Sequence, residues 1–288
     1  MSVTEVHITE PGASSSGDRS DSAAPVLSIA TLLNDRQRYE RMRRSLANSL
    51  ELQTIQWLPI EADRLGLGAT EAINHCLAEA RAEWIVCAHQ DVVFPHDWWR
   101  RARAQIAAWE HRTSRIVGVT GLVGVTRHGR FRGSITDPAG FGRWGPLPDR
   151  VLSVDEHVLL VRRATRLRFD PETPGFHCYG TDIALRALRD GFDVIAIDAP
   201  VSHFSTGTID DTYRACAAWL LAKWGDQCGH AIPTCAATIG RHAIAAAPRR
   251  LLLHVNRRLS VWQRRLRIGA PVGPGSPADV PDIPRRAA

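Results

Sequence analysis

The chain has 288 residues, 44% of them hydrophobic and 23% charged, enough apolar material to bury a large core, which excludes a disordered or collagen-like polypeptide. A formal charge of +6, nearly all of it from arginine, is attached to no recognisable nucleic-acid-binding module, so nucleic acid is not an expected partner. Six cysteines with no C-x-x-C pair read as reduced packing residues and argue against a disulfide framework or a zinc ribbon.

Residues 1–24 are rich in Ser, Gly, Asp and Ala and read as a disordered tail. The first residues lack the charged and apolar regions of a signal peptide, and no apolar run reaches the ~20 residues of a membrane-spanning helix, so a cytoplasmic location is expected. From Val26 the pattern is strand (26–31), helix (36–50, with Tyr39, Met42, Leu46 and Leu50 on one face), strand (55–60), helix (69–81) and strand (84–88). Such short alternation predicts a parallel sheet with helical crossovers. A helix over 96–110 and a strand over 116–120 continue it. Residues 127–150 then turn rich in Gly, Arg and Pro and read as an active-site loop, whose Arg127, Arg130, Arg132 and Arg143 either meet phosphates or are solvated. A strand over 158–161, a helix over 181–190 and a last strand over 194–197 follow. Residues 210–247 are Ala-rich and read as helical.

Trp84-Ile85-Val86-Cys87-Ala88-His89-Gln90-Asp91 draws attention because an apolar run suited to a strand buried on both faces ends in three polar residues. Ligands bind at the carboxyl ends of such strands. His89 and Asp91 are two apart, so an extended backbone points both to one side. Together they can grip a divalent metal, or Asp91 can cap the next helix. Asp182, at a helix start, reads as a cap or a general base, and His203 as a ligand or a satisfied histidine.

The order of these pieces resembles a GT-A glycosyltransferase of the family 2-like kind over about residues 25–224. The resemblance rests on Asn34-Asp35 with Tyr39, Ala72-Ile73-Asn74, and His89-Gln90-Asp91-Val92 in the place of Asp-x-Asp. Further along it rests on Asp155-Glu156, Phe169-Asp170, Phe176-His177 with Tyr179-Gly180-Thr181-Asp182, and the late His203. It implies an α/β fold of Rossmann-like GT-A type, with a mostly parallel central sheet, flanking helices and a C-terminal helical extension. It implies that Asp91 and His203 bind a divalent cation (Mn²⁺ or Mg²⁺) and that Asp182 takes the acceptor proton, giving inversion. Thr31, Asn34, Glu61, Asn74, His89 and Gln90 would hold the donor, a nucleotide-diphosphate sugar. Asp155, Glu156, His177 and Tyr179 would face the acceptor, a glycan or lipid-linked hydroxyl, or lie behind the site. The chain departs from the family in having His89 for the first Asp of Asp-x-Asp and Thr181 for the Glu of Glu-Asp.

The expected organisation is a tail (1–24), a catalytic domain (25–210), a helical extension (211–267) and a second tail (268–288). In 249–267 a helix would align Leu251, Val255, Leu259, Trp262 and Leu266, with arginines elsewhere; that face either docks on the domain or lies on the inner face of a membrane. Two other functions fit less of the sequence: a nucleotidyltransferase, and a non-catalytic sugar-nucleotide-binding or scaffold protein.

Overall fold

The computed structural model describes residues 2–5, 24–48, 54–205 and 209–240. The strand Leu27–Leu32 leads into the helix Arg36–Ala47, whose start is fixed by the Asp35 side chain accepting from the Arg38 backbone N–H at 3.1 Å. That helix buries Tyr39, Met42 and Leu46, one stripe at helical spacing. Thr54–Ile60, the helix Ala69–Glu79 and Trp84–Ala88 complete the alternation. Glu71 Oε2 accepts from the Gly68 N–H at 2.9 Å and anchors the second helix.

The main sheet has eight strands. Their spatial order is Ser2–Glu5, Thr54–Ile60, Leu27–Leu32, Trp84–Ala88, Val158–Arg162, Val117–Gly121, Asp193–Ala196 and Asp149–Arg150. All run parallel except Val158–Arg162 and Asp149–Arg150. The sheet is therefore mostly parallel, as expected, with an antiparallel strand at its centre. Ser2–Glu5, inside the stretch expected to be disordered, pairs with Thr54–Trp57 in parallel register.

Strand alternation sends side chains to two layers. Leu27, Ile29, Trp84, Val86 and Leu160 pack with Tyr39, Met42, Trp98, Trp99 and Ile106 on one face. Ala30, Ile85, Cys87, Leu159 and Val161 pack with Ile73, Cys76, Leu77 and Ile183 on the other. The helix Asp211–Trp224 extends the second layer through Leu185, Cys216, Leu220 and Trp224.

A six-stranded sheet caps the carboxyl edge of the main one; its order is Ser153–Val154, Val123–Val125, Phe131–Asp137, Ser202–His203 and Val92–Val93, with Gly140–Trp144 also paired to Phe131–Asp137. Residues 127–150 are thus largely a hairpin rather than a long loop. Their glycines hid it: Gly133 (φ 124°) lies against the Leu122 carbonyl, where no Cβ fits. Arg132, Arg143 and Arg150 pair with Asp149, Asp198 and Asp193. The helix expected over 210–247 ends at Trp224; after Gly225 and Gly229 (φ 67°) the chain forms a hairpin, Ala231–Pro233 with Thr238–Gly240. The segment 249–267 lies outside the described residues. Among the described residues no helix is long and apolar enough to cross a membrane. All six cysteines are free, as expected.

Candidate functional site

A cleft of about 630 Å³ opens where the two sheets meet. Its floor is the carboxyl ends of Leu27–Leu32 and Trp84–Ala88, continued through His89, Gln90 and Asp91. That size accommodates a ligand as large as a nucleotide sugar.

Two pairings assemble its centre. Val92 pairs with His203 in antiparallel register, and the Phe204 N–H donates to the Asp91 carbonyl at 3.1 Å. On the other side the His89 N–H donates to the His157 carbonyl at 2.9 Å, one step beyond the Ala88–Val158 pair. Asp91, His89, His157 and His203 are thereby gathered at the same strand ends. His203 Nε2 lies 3.4 Å from His89 Nδ1, 3.4 Å from Asp91 Oδ1 and 3.1 Å from Ser205 Oγ. One ligand atom from each of His89, Asp91 and His203 falls within 4.8 Å of the others. Metal bonds of about 2.1 Å at ordinary angles leave neighbouring ligand atoms about 3.0–3.5 Å apart, so the donor set fits a small divalent cation. Among the described residues this is the one such grouping, and Cys178, Cys228, Cys235, His177 and His230 form none.

The electrostatics favour deprotonated ligands. Burial, and then the neighbouring His203 and His157, lower the His89 pKa to about 4, leaving a neutral imidazole at pH 7. Burial alone would raise the Asp91 carboxyl, yet His203, Ser205 and His89 hold it well below the usual range. Asp155 behaves alike: burial opposes ionisation, and His157 overcomes it. Asp155 Oδ1 accepts from the His157 backbone N–H at 3.1 Å and lies 2.6 Å from His157 Nδ1. Glu156 goes the other way, pushed up to about 8 by burial and then by the Asp155 charge. Its Oε1 accepts from the Gly180 N–H at 3.1 Å at the start of the helix Tyr179–Arg189. Burial also raises the Tyr179 phenol.

Of the residues singled out in sequence, Asn34, His89, Gln90, Asp91, Asp155, Glu156, His177, Tyr179 and His203 line the cleft. Gln90 Oε1 accepts from the Asn34 and Asp35 N–H groups at 3.0 and 2.9 Å, tying the first crossover to the His89–Asp91 stretch. Thr31, Glu61, Asn74 and Asp182 do not line it. Thr31 is buried within its strand. Glu61 pairs with Arg64 at 3.2 Å. Asn74 exchanges two hydrogen bonds with the Phe169 backbone. Asp182, expected as the base, is fully buried, and its Oδ1 accepts from Lys223 Nζ at 2.6 Å and Trp224 Nε1 at 2.7 Å. Asp182 lies three residues beyond the cleft-lining Tyr179, near the same helix face but further along a helix that is buried throughout its first turns; there Lys223 and Trp224 of the helix Asp211–Trp224 cover it.

Sequence reasoning missed Arg38 and three aromatic residues of the cleft lining, Phe131, Trp144 and Tyr213, which form a wall with Phe176; it also missed His157, buried against His203. His157 could have been found only by recognising that Val158–Arg162 runs antiparallel and so sets residue 157 opposite residue 89.

No family model matches the chain. A Fuscovulum blasticum protein named "ATP synthase subunits region ORF 6" is 24% identical over 219 residues, covering 71% of this chain and 85% of that protein. Among solved structures, residues 1–349 of S. aureus TarS align with 13% identity and a TM-score of 0.42, covering 68% of this chain and 65% of that one. A Pyrobaculum calidifontis mannosyltransferase in complex with GDP-Man and Mn²⁺ aligns with 13% identity and a TM-score of 0.43, covering 70% and 61%. The chain thus spans less than two thirds of the length of either solved chain.

Proposed function

We propose that this chain is a GT-A-type glycosyltransferase that moves a sugar from a nucleoside diphosphate to an acceptor hydroxyl, with inversion and with help from a divalent cation. The observation that carries the reading is the cleft itself. At the carboxyl edge of a mostly parallel sheet, a metal-ligand set from His89, Asp91 and His203 shares one cavity with a carboxyl of raised pKa, Glu156.

His89, Asp91 and His203 would hold the cation, which would neutralise charge on the departing diphosphate. Asn34, Gln90 and Arg38 line the end of the cleft near the first crossover, where a nucleoside diphosphate would lie. Glu156 takes the role that the resemblance gave to Asp182. Its carboxylate accepts the proton of the acceptor hydroxyl as that oxygen bonds to the anomeric carbon and the carbon–phosphate-oxygen bond breaks. One displacement without a covalent intermediate inverts the centre. The aromatic wall supplies apolar faces for an acceptor sugar or lipid-linked glycan. Peripheral membrane contact through 249–267, cytoplasmic location and a place in polysaccharide synthesis belong to the same proposal; loss of liposome binding on removing 249–288 is the expected result for the first.

The deciding experiment is a thermal-shift panel of UDP, GDP and their sugars with and without Mn²⁺. A nucleotide that binds the folded chain raises its melting temperature by mass action. The absence of a shift with every nucleoside diphosphate and metal would overturn the reading.

A further inference from the structure

We propose that the outer face of the six-stranded sheet, with the arginine-rich helices beside it, seats on an anionic membrane surface. The pairing register puts the pieces together. Phe141 pairs with Thr136, Thr136 with Ser202 and Ser202 with Val93, one row across four strands. Paired residues share a face, and Phe204, two residues beyond Ser202, shares it too. The cleft-lining Ile135, Trp144, His203 and Ser205 alternate to the other face. The row therefore looks outward, and its phenylalanines 141 and 204 are 59% and 46% exposed. At the end of the row, Val92–Val93 packs on the helix Arg36–Ala47. Arg41 of that helix lays its guanidinium on Phe204, 3.8 Å from the ring centroid.

The charge is gathered on the same side. The helices Arg36–Ala47 and Trp98–Thr113 hold nine arginines and two glutamates, a surplus larger than the +6 of the whole chain. They are neighbours: the Phe94 N–H donates to Ser45 Oγ at 3.1 Å, and the Phe94 ring packs on Trp98. Arg36, Arg41, Arg44, Arg100 and Arg103 are exposed. The nearby carboxylates, Asp35 and Glu40, pair with Arg38 and Arg43, and no described carboxylate pairs with Arg36, Arg41 or Arg44. In the opposite layer the helix Ala69–Glu79 carries two glutamates and neither arginine nor lysine.

Arginines beside exposed phenyl rings suit a partner that offers phosphates and, just beneath them, an apolar layer; a bilayer of anionic lipids offers both. Single-stranded RNA would need open ring faces for its bases, and Arg41 covers that of Phe204. The seating also places the cleft. Asp137 and Ala139, in the hairpin that carries Phe141, and Arg38, in the helix that carries Arg41, line it. Its mouth would open at headgroup level, toward a hydroxyl borne on a lipid; this last step alone rests on the transferase reading.

The test is co-sedimentation of the full chain, 249–288 included, with vesicles of pure phosphatidylcholine and of an equimolar mixture of phosphatidylcholine and phosphatidylglycerol. Binding to the mixed vesicles alone is expected, and it should weaken as salt is raised. Arg41→Gln combined with Arg44→Gln should weaken it about 25-fold, at about 5-fold for each charge. Phe141→Ser should weaken it about 5-fold, and that loss should persist in high salt. Both variants change exposed side chains and should keep the parent's urea midpoint. No binding to the mixed vesicles, or binding by both variants equal to the parent's, would overturn the inference. So would displacement from the vesicles by polyuridylate, which would give the face to RNA. A chain that sediments as expected but shows no thermal shift with any nucleoside diphosphate would support this inference while removing the transferase reading.

Discussion

Two clusters of carboxylates flank the first turn of the helix Tyr179–Arg189, and they are finished differently. On one side Asp182 and Asp170 meet Lys223 at 2.6 and 2.5 Å, with Trp224 and Arg186 completing the set. That cluster contains its own cation. On the other side Asp91, Asp155 and Glu156 meet imidazoles, the Ser205 hydroxyl and backbone N–H groups. The first cluster fastens the helix Asp211–Trp224 to the domain. The second lines an open cleft and is short of positive charge, which an added cation would supply. Two groups of the same residue types are separated in role by where the compensating charge comes from.

This contrast can be broken most severely at Glu156. Glu156→Gln should lower turnover about 10³-fold, the scale of losing a positioned base, while nucleotide-induced stabilisation persists. Its pH signature has a definite sign. The folded state holds the Glu156 proton up to about 8 against an ordinary 4.5, so its contribution to stability is complete below 4.5 and fades as pH rises toward 8. The Gln variant should therefore gain in melting temperature over the parent as pH rises through that window. Turnover of the parent should climb through the same range, with a bound dication moving the limb lower.

Asp91→Asn comes next. It should cost on the order of 10²-fold in turnover and remove the Mn²⁺-dependent thermal shift, with little change in the melting temperature of the metal-free chain. Asp182→Asn should do the reverse. Leaving Lys223 against a half-emptied site should cost about 3 kcal/mol of stability, read by urea unfolding, with turnover per folded molecule retained. Turnover lost in Asp182→Asn at unchanged stability would merge the two clusters and restore the base role to Asp182.

Gly180→Ala is a finer probe. A Cβ there would lie 2.8 Å from the Val154 carbonyl and 3.2 Å from Glu156 Cγ. About 1–3 kcal/mol of strain is expected, together with a shifted pH–rate limb as Glu156 is displaced. The smallest effect belongs to Arg143→Ala, whose half-exposed pair with Asp198 should be worth about 0.5 kcal/mol, with nucleotide affinity unchanged.

The alternation of strands and helices was legible because each element repeats a period that burial imposes; Trp84–Ala88 and the stripe Tyr39, Met42, Leu46 lie where their spacing puts them. His89, Asp91 and His203 were legible as chemistry at a strand end. Strand direction was not legible. A run such as Val158-Leu159-Leu160-Val161 is equally apolar whichever way it runs, so its antiparallel placement, and with it the position of His157, lay beyond periodicity. The surroundings of Asp182 were hidden for a related reason: whether a residue near a helix start meets the cleft depends on what packs over it, and here that is Lys223 and Trp224, more than 40 residues later.

His89 and His203 stand 114 residues apart in the chain. Their meeting requires the Val92–His203 pairing, and the wall beside them requires the central Val158–Arg162 strand to be in place. A ribosome-bound chain lacking its last third has His89 and Asp91 but not His203, and so would lack the proposed cation site. Ion capture would therefore mark the completion of folding rather than begin it, and release of the ion would be the earliest sign that the two sheets have started to part.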